Sequence, residues 1–254
     1  MASMRVHGTL EGEGRRQQLT ERLARSGSLS LSQEARRFGV HEMTMRRDLD
    51  ALERDGLARR VRGGAVLPQG DAFSLRMQRA QRAKRQIAQK LKSLVPTAGA
   101  IGVDASTTLV HLARDITGNG LSVVTNGMAT FDELRRRPGI RSFLTGGESE
   151  ELNASLVGSL AIQSVKGFHL DRIFLSAASV NPGTGTSEST PAQVDVKRAM
   201  AAVTNHVVVA VDSSKLDTTS PVRALSLSEI DILVTELNPS DSRLDQYRGT
   251  VELY

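Results

Sequence analysis

This sequence contains no cysteine, which excludes disulfides, thiol nucleophiles and thiolate metal sites and fits a reducing compartment. Its five histidines, His7, His41, His111, His169 and His206, are scattered without metal-ligand spacing, so no metal site and no cofactor is expected. No apolar run approaches the roughly 20 residues that span a bilayer, and residues 1 to 14 lack the apolar core of a signal peptide. The chain is therefore expected to act in the cytoplasm, away from membranes. Acidic residues are sparse at one end. Residues 1 to 92 carry 20 Lys and Arg against 10 Asp and Glu, whereas residues 93 to 254 carry 13 against 18. The basic end is the expected contact for a polyanion.

What is present in that basic end is a pair of short amphipathic segments. Met43 to Gly56 places Met45, Leu49 and Leu52 on one helical stripe and turns Thr44, Arg46, Arg47 and Asp50 away from it. A helix with a cationic, hydroxyl-bearing face suits a DNA major groove. A shorter helix, Ser32 to Phe38, precedes it, and Gly39-Val40-His41 between them has the length and glycine of a helix-turn-helix turn. His41 falls at the N-cap position of the second helix. Another helix is expected from Arg15, with Leu19 and Leu23 four apart and Gly27 as its stop. After Gly56, the run LARRVRGGAVL reads as a two-stranded wing whose Arg59, Arg60 and Arg62 lie along phosphates. Either Arg46 or Arg47 reads a base and the other a phosphate; Met43 is placed to meet thymine methyl groups. Asp48 is expected to orient an arginine rather than touch DNA.

Four segments are expected: a disordered stretch over 1 to 13, a winged helix-turn-helix over 14 to 68, a linker and connecting helix over 69 to 95, and an effector domain over 96 to 254. The linker is marked by Gln69-Gly70-Asp71, and a basic helix over 76 to 92 is expected to join the two domains. From Ala100 the short apolar runs AIGVD, LSVVT, RSFLT, RIFLS, HVVVAVD and ILVT alternate with helical stretches, the pattern of a largely parallel α/β sheet. Ligands of such sheets bind outside the carboxyl ends of the strands. Ser106, Thr107 and Thr108 open a helix after the first of these strands and are expected to hold an anion at its positive end. Asp104 ends that same strand, and Thr125, Asn126, Gly146, Gly147 and Ser176 lie at other strand ends. Glu188, Lys197 and Lys215 supply charges able to read hydroxyls and phosphate. Asp104 is assigned to sugar hydroxyls, since it repels phosphate at close range.

These residues carry a resemblance. Thr44-Met45-Arg46-Arg47-Asp48-Leu49 resembles the Thr-x-Arg-Arg-Asp-Leu signature of the DeoR family of bacterial transcriptional regulators. Arg62-Gly63-Gly64-Ala65 departs from the family's His-Gly-Gly-Ala wing only at its first place. The blocks DASTT, VVTN, LTGG, LVGSLA, DRIFLSAAS, VKRAM and VDSSK follow in the family's order. The resemblance implies a winged helix-turn-helix followed by a ribose-5-phosphate-isomerase-like α/β effector domain. It also implies a double-stranded operator, a phosphorylated sugar or related metabolite as effector, a homo-oligomer, and repression of a carbohydrate catabolic operon. Two departures bear on the ligand. Ser176-Ala177-Ala178-Ser179 replaces the family's usual Gly-Ala-Ser-Gly, and residues 181 to 190 differ in detail. The alternative is a sugar-phosphate isomerase carrying a DNA module. That chemistry needs a carboxylate to move protons, and Ile173 to Ser187 holds none. An architectural DNA binder without an effector is a third reading, disfavoured by the polar strand-end loops.

Overall fold

A computed structural model describes residues 3–54, 57–66 and 73–254, which separate into two compact units, Met1–Gln78 and Arg79–Tyr254. In the first unit, α1 (Ser3–Ser26) is followed by β1 (Ser28–Ser30), α2 (Leu31–Arg37), α3 (Glu42–Arg54), β2 (Arg59–Val61), β3 (Gly64–Val66) and α4 (Phe73–Gln78). Leu19, Leu23, Ala35, Met45, Leu49, Leu52, Ala65 and Leu75 bury together as its core, so the stripe expected on α3 does face inward. Gly39 between α2 and α3 takes φ +63°, a left-handed conformation that glycine adopts without Cβ strain. The wing is a three-stranded antiparallel sheet in the order β1-β3-β2. Its extra strand, β1, is too short to show a period in sequence.

Two expectations need correction. Residues 3 to 13, expected to be disordered, continue α1 back to Ser3; no proline interrupts that stretch, and once a helix is nucleated each added residue costs little. The single connecting helix over 76 to 92 is in fact two. Ala80 adopts φ +50° ahead of α5 (Gln81–Lys92); Leu75 on α4 belongs to the first core, while Ile87, Ala88 and Leu91 on α5 belong to the second unit. Gln69-Gly70-Asp71, read as the linker, lies outside the described residues, as do Asp55 and Gly56.

The second unit continues with β4 (Gly99–Val103), α6 (Thr107–Asp115), β5 (Leu121–Thr125), α7 (Met128–Leu134), β6 (Ile140–Leu144), β7 (Glu148–Glu150), β8 (Ser155–Val157) and α8 (Ser159–Lys166). After these come β9 (Arg172–Leu175), β10 (Ser179–Asn181), β11 (Gly185–Glu188), α9 (Pro191–Ala201), β12 (Val207–Ala210), β13 (Val222–Arg223), β14 (Ile232–Val234) and β15 (Glu252–Leu253). Seven of these strands form one parallel sheet in the order β15-β14-β12-β9-β4-β5-β6. Both faces are covered, which is why its strands read as unbroken apolar runs. One core gathers Leu91 of α5, Leu109 and Leu112 of α6 and Leu134 of α7 over Ile101, Val123 and Phe174. The other gathers Ala161 of α8 and Val196 and Met200 of α9 over Ile173, Val209 and Leu233, with Tyr247 fully buried beside them. Among the described residues no helix is long and apolar enough to cross a membrane.

The strand order decides where a ligand can enter. From β4 the chain steps outward through β5 and β6, then returns to the other side of β4 and steps through β9, β12, β14 and β15. The reversal falls between β4 and β9. Such a switch point opens a crevice at the carboxyl ends of the strands, because the loops on its two sides diverge.

Candidate functional sites

On the first unit, α3 presents a half-exposed Met43 (50 %), with Arg46 and Arg47 exposed and Thr44 partly so. His41 caps this helix. Its carbonyl accepts from the Thr44 and Met45 amides at 2.9 and 3.1 Å, and its Nδ1 accepts from the Met43 amide at 3.2 Å. Imidazole here takes the place of the usual cap hydroxyl. Asp48 is buried and takes Arg15 Nε at 2.6 Å and Arg16 at 3.4 Å, so it orients arginines of α1 as expected. Buried Glu34 holds Arg22 through two bonds of 2.9 and 2.7 Å, tying α2 to α1. Arg59 and Arg62 are exposed on the wing.

Arg60 does not join them. Its Nε pairs with Asp50 of α3 at 2.9 Å, a second guanidinium nitrogen donates to the Gly64 carbonyl, and its amide donates to Glu53 at 2.7 Å. The side chain expected on phosphate is a tether holding the wing to α3. Arg60 pairs with fully buried Ala65, and alternation turns Arg59 to the opposite, solvent side, while Arg62 lies exposed in the turn beyond β2. Arg60→Ala is accordingly expected to lower stability by about 1 kcal/mol, read by chemical denaturation. Arg62→Ala is expected to leave stability unchanged and weaken random and preferred duplexes alike. The reverse pattern would return Arg60 to the DNA surface.

In the second unit, the switch point holds an ionic cluster. Lys197, on α9, reaches Asp104 at 2.9 Å, Glu188 at 2.5 Å and the Ser176 carbonyl at 2.5 Å. Burial works against its charge, but the two carboxylates outweigh that and hold the ammonium above its usual range. Asp104 is heavily engaged: one oxygen accepts the Ser106 amide at 2.9 Å, the other the Ser176 amide at 2.8 Å and Lys197. It ties the loops after β4 and β9 together. Lys215 donates to the Ala177 carbonyl at 2.7 Å and approaches Ser176 Oγ at 3.5 Å, and makes no ion pair within 4 Å among the described residues. Burial pulls its ammonium below the usual lysine range, against partial support from Asp212, Glu188 and Asp104. The cluster thus keeps one cation without a carboxylate touching it.

Of the other expected residues, Ser106, Thr107 and Thr108 follow β4 beside Asp104, and Thr125, Asn126, Gly146 and Gly147 lie at the ends of β5 and β6. Ser106 caps α6 by accepting the Leu109 amide at 3.1 Å. Thr107 and Thr108 in its first turn are buried, and Thr108 Oγ1 has no partner. Thr125 Oγ1 accepts the Gly127 amide at 3.0 Å, Gly127 abuts the Ala105 backbone, and the Thr145 amide donates to the Thr125 carbonyl at 2.9 Å. Asn126 gives its amide to the Leu156 carbonyl at 3.1 Å and leaves Oδ1 unpartnered; Thr145 Oγ1 is likewise buried and unpartnered. Buried polar atoms are nearly always satisfied, so three such atoms on three neighbouring loops are unusual. Gly146 donates to Ser164 Oγ at 3.2 Å. Gly147 sits at φ +130° with the Val157 carbonyl 2.3 Å from where a Cβ would stand, so only glycine fits.

A second group was not foreseen. Glu150 accepts from Thr190 Oγ1 at 2.8 Å, Ser155 Oγ at 3.2 Å, Asn153 at 2.7 Å and Gln193 Nε2, and Gln193 also reaches Ser155 at 2.8 Å. This pins the β7–β8 hairpin to the start of α9. In sequence Glu150 lies in the run Glu148-Ser149-Glu150-Glu151, which reads as a solvated charge cluster, so no signal singled it out.

A reading helix with a wing, followed by a parallel-sheet unit with a polar crevice, defines a ligand-responsive DNA-binding regulator. Residues 15–70 match the profile of the DeoR-like helix-turn-helix domain and residues 79–237 that of the DeoR C terminal sensor domain, and the chain belongs to the DeoR family. It is 30 % identical over 257 residues to a putative aga operon transcriptional repressor of Escherichia coli O157:H7, covering 98 % of this chain and 94 % of that protein. It is 31 % identical to the HTH-type transcriptional repressor GlcR of Bacillus subtilis, covering 84 % of each. Among solved structures, ribose 5 phosphate isomerase A from Neisseria gonorrhoeae aligns over 52 % of each chain at 20 % identity, with a TM-score of 0.36. The relatives are regulators, and this protein is a regulator rather than an enzyme.

Proposed function

We propose that this protein represses a carbohydrate catabolic operon and leaves its operator when a phosphorylated sugar or related metabolite fills the crevice at the β4/β9 switch point. Two observations support the reading: Thr108, Asn126 and Thr145, at or just beyond the carboxyl ends of β4, β5 and β6, each carry a buried oxygen without a partner, and Lys215, beside the loop after β9, carries an ammonium that no carboxylate contacts among the described residues. The oxygens suit sugar hydroxyls and the ammonium suits an anion. Thr107, Thr125, Gly146, Gly147 and Ser176 complete the lining, and Asp104, Glu188 and Lys197 hold its shape. A tenfold preference of the ligand for the DNA-free arrangement supplies about 1.4 kcal/mol per site towards release.

Thermal-shift titration of sugar phosphates beside their unphosphorylated sugars tests this. At least one phosphorylated compound is expected to raise the melting temperature while its free sugar does so weakly. Lys215→Met should abolish that rise yet still bind DNA, giving a repressor that stays on its operator. Since Lys215 is charged below its depressed pKa and neutral above it, ligand affinity is expected to fall as pH rises, at lower pH than for an exposed lysine. A full response from Lys215→Met would remove this lysine from the site.

The protein is further proposed to act in the cytoplasm as a homo-oligomer. One winged module reads only a few base pairs, and two related by a two-fold axis lengthen the address. Sedimentation of the full chain should show a dimer or larger; a monomer at micromolar concentration would refute it.

A further inference from the structure

The charge of the second unit is divided. Residues 79 to 141 contain eleven Lys and Arg against four Asp and Glu, whereas residues 142 to 254 contain eight against fourteen. The basic portion includes α5, α6 and α7, which form one helical layer over one face of the sheet. Arg82 and Arg85 on α5, Arg114 on α6, and Arg135 and Arg136 at the end of α7 are all exposed. Arg114 links the helices of this layer: it pairs with Glu133 of α7 at 3.0 Å, and with Lys84 and Arg85 of α5 it acts on His111 of α6. Arg82 and Arg136 make no ion pair among the described residues.

His111 supplies a second, independent observation. It is only 8 % exposed, and its Nε2 has no hydrogen-bond partner. Burial first, then the positive charges of Arg114, Lys84 and Arg85, hold it below the usual histidine range. The charges acting on this buried ring are Arg114, Lys84 and Arg85 against Asp115 alone, so the layer above it carries a local excess of positive charge.

We propose that the outer face of α5, α6 and α7 is a second DNA-backbone contact, which holds duplex flanking the sequence read by α3. The cations extend over three helices, more than a single small anion can occupy, whereas duplex DNA offers one charge per about 1.7 Å of its length. Arg82 follows the last residue of α4 by only four positions, a stretch of at most about 14 Å, so the face begins close along the chain to a unit that binds DNA. The contact is blind to sequence: it adds affinity and salt dependence without changing the preferred site.

The test uses the full chain and a random-sequence duplex, with affinity measured across a salt series. Arg82→Gln, Arg85→Gln and Arg136→Gln together are expected to reduce the slope of log K against log salt by about 2 to 3, since each phosphate left without its cation lowers the slope by about 0.9. Lys166→Gln, Arg223→Gln and Arg243→Gln together, which remove the same charge away from this layer, should leave the slope unchanged. Equal slopes for wild type and the first triple variant overturn the proposal. So does an equal reduction in both triple variants, which makes the effect one of net charge. Two other results also overturn it. If the first variant alters sedimentation without DNA, the face is an interface between copies. If it loses only a melting-temperature rise given by inorganic phosphate, the layer serves a small anion.

Discussion

Lys197→Met is expected to lower the stability of the second unit by about 3 to 5 kcal/mol, the cost of leaving buried carboxylates without their cation. Methionine preserves most of the volume, so the effect is electrostatic rather than that of a cavity. Asp104 and Glu188 sit 2.9 and 2.5 Å from the ammonium, and all three are buried. Without it, two buried carboxylates are left with no cation, and a proton taken up by the folded state relieves part of that cost. The sign follows: the variant's folded state binds more protons, so its stability deficit is largest at neutral pH and narrows as pH falls towards the carboxylate range. Urea unfolding followed by circular dichroism at several pH values measures this. Adding Asp104→Asn and Glu188→Gln should recover part of the stability at neutral pH. A deficit below about 1 kcal/mol, well short of the cost of an uncompensated buried charge, or one indifferent to pH, would show that the ion cluster is not the keystone of the switch point.

Arg46→Ala is expected to weaken binding to the preferred duplex by about 1 to 3 kcal/mol and to relax the preference at one base pair, as removal of a bidentate hydrogen-bond pair to a base does. Met45, Leu49 and Leu52 are buried, so α3 can offer DNA only its other side, where Arg46 lies exposed beside Arg47. Among the described residues neither arginine is engaged as Arg60 is, which leaves both free to reach a groove. A duplex selected from a random pool supplies the preferred sequence, and gel-shift titration against unselected DNA gives the discrimination. Equal weakening on both would assign Arg46 to a phosphate and pass base reading to Arg47.

How much was legible depended on the range of the interaction. The α3 stripe, the Gly39 turn, the wing glycines and six of the seven parallel strands were readable, because helix period, turn conformation and apolar runs are set by neighbours a few residues apart. The family signature at Thr44 to Leu49 is equally local. The residues gathered at the strand ends could be named, since they follow directly on those runs. Their roles could not. Asp104 could be read as a ligand group but not as the tie between two loops, because Ser176 and Lys197 lie 72 and 93 positions away. Arg60 looked like its neighbours Arg59 and Arg62 until strand pairing turned it towards Asp50 and Gly64. Glu150 gave no sign of being the anchor of a hairpin, since Thr190 and Gln193 complete its shell from another helix. The break at Ala80 is the plainest case. Gln78-Arg79-Ala80-Gln81 favours continued helix, yet Leu75 and Ile87 are claimed by different cores, and a left-handed alanine follows. Sequence alone determined the elements, the class of protein and the list of candidate residues; tertiary structure decided which polar groups are consumed in holding loops together and which remain open to a ligand, because hydrogen-bond satisfaction in a buried site is a property of side chains far apart in the chain.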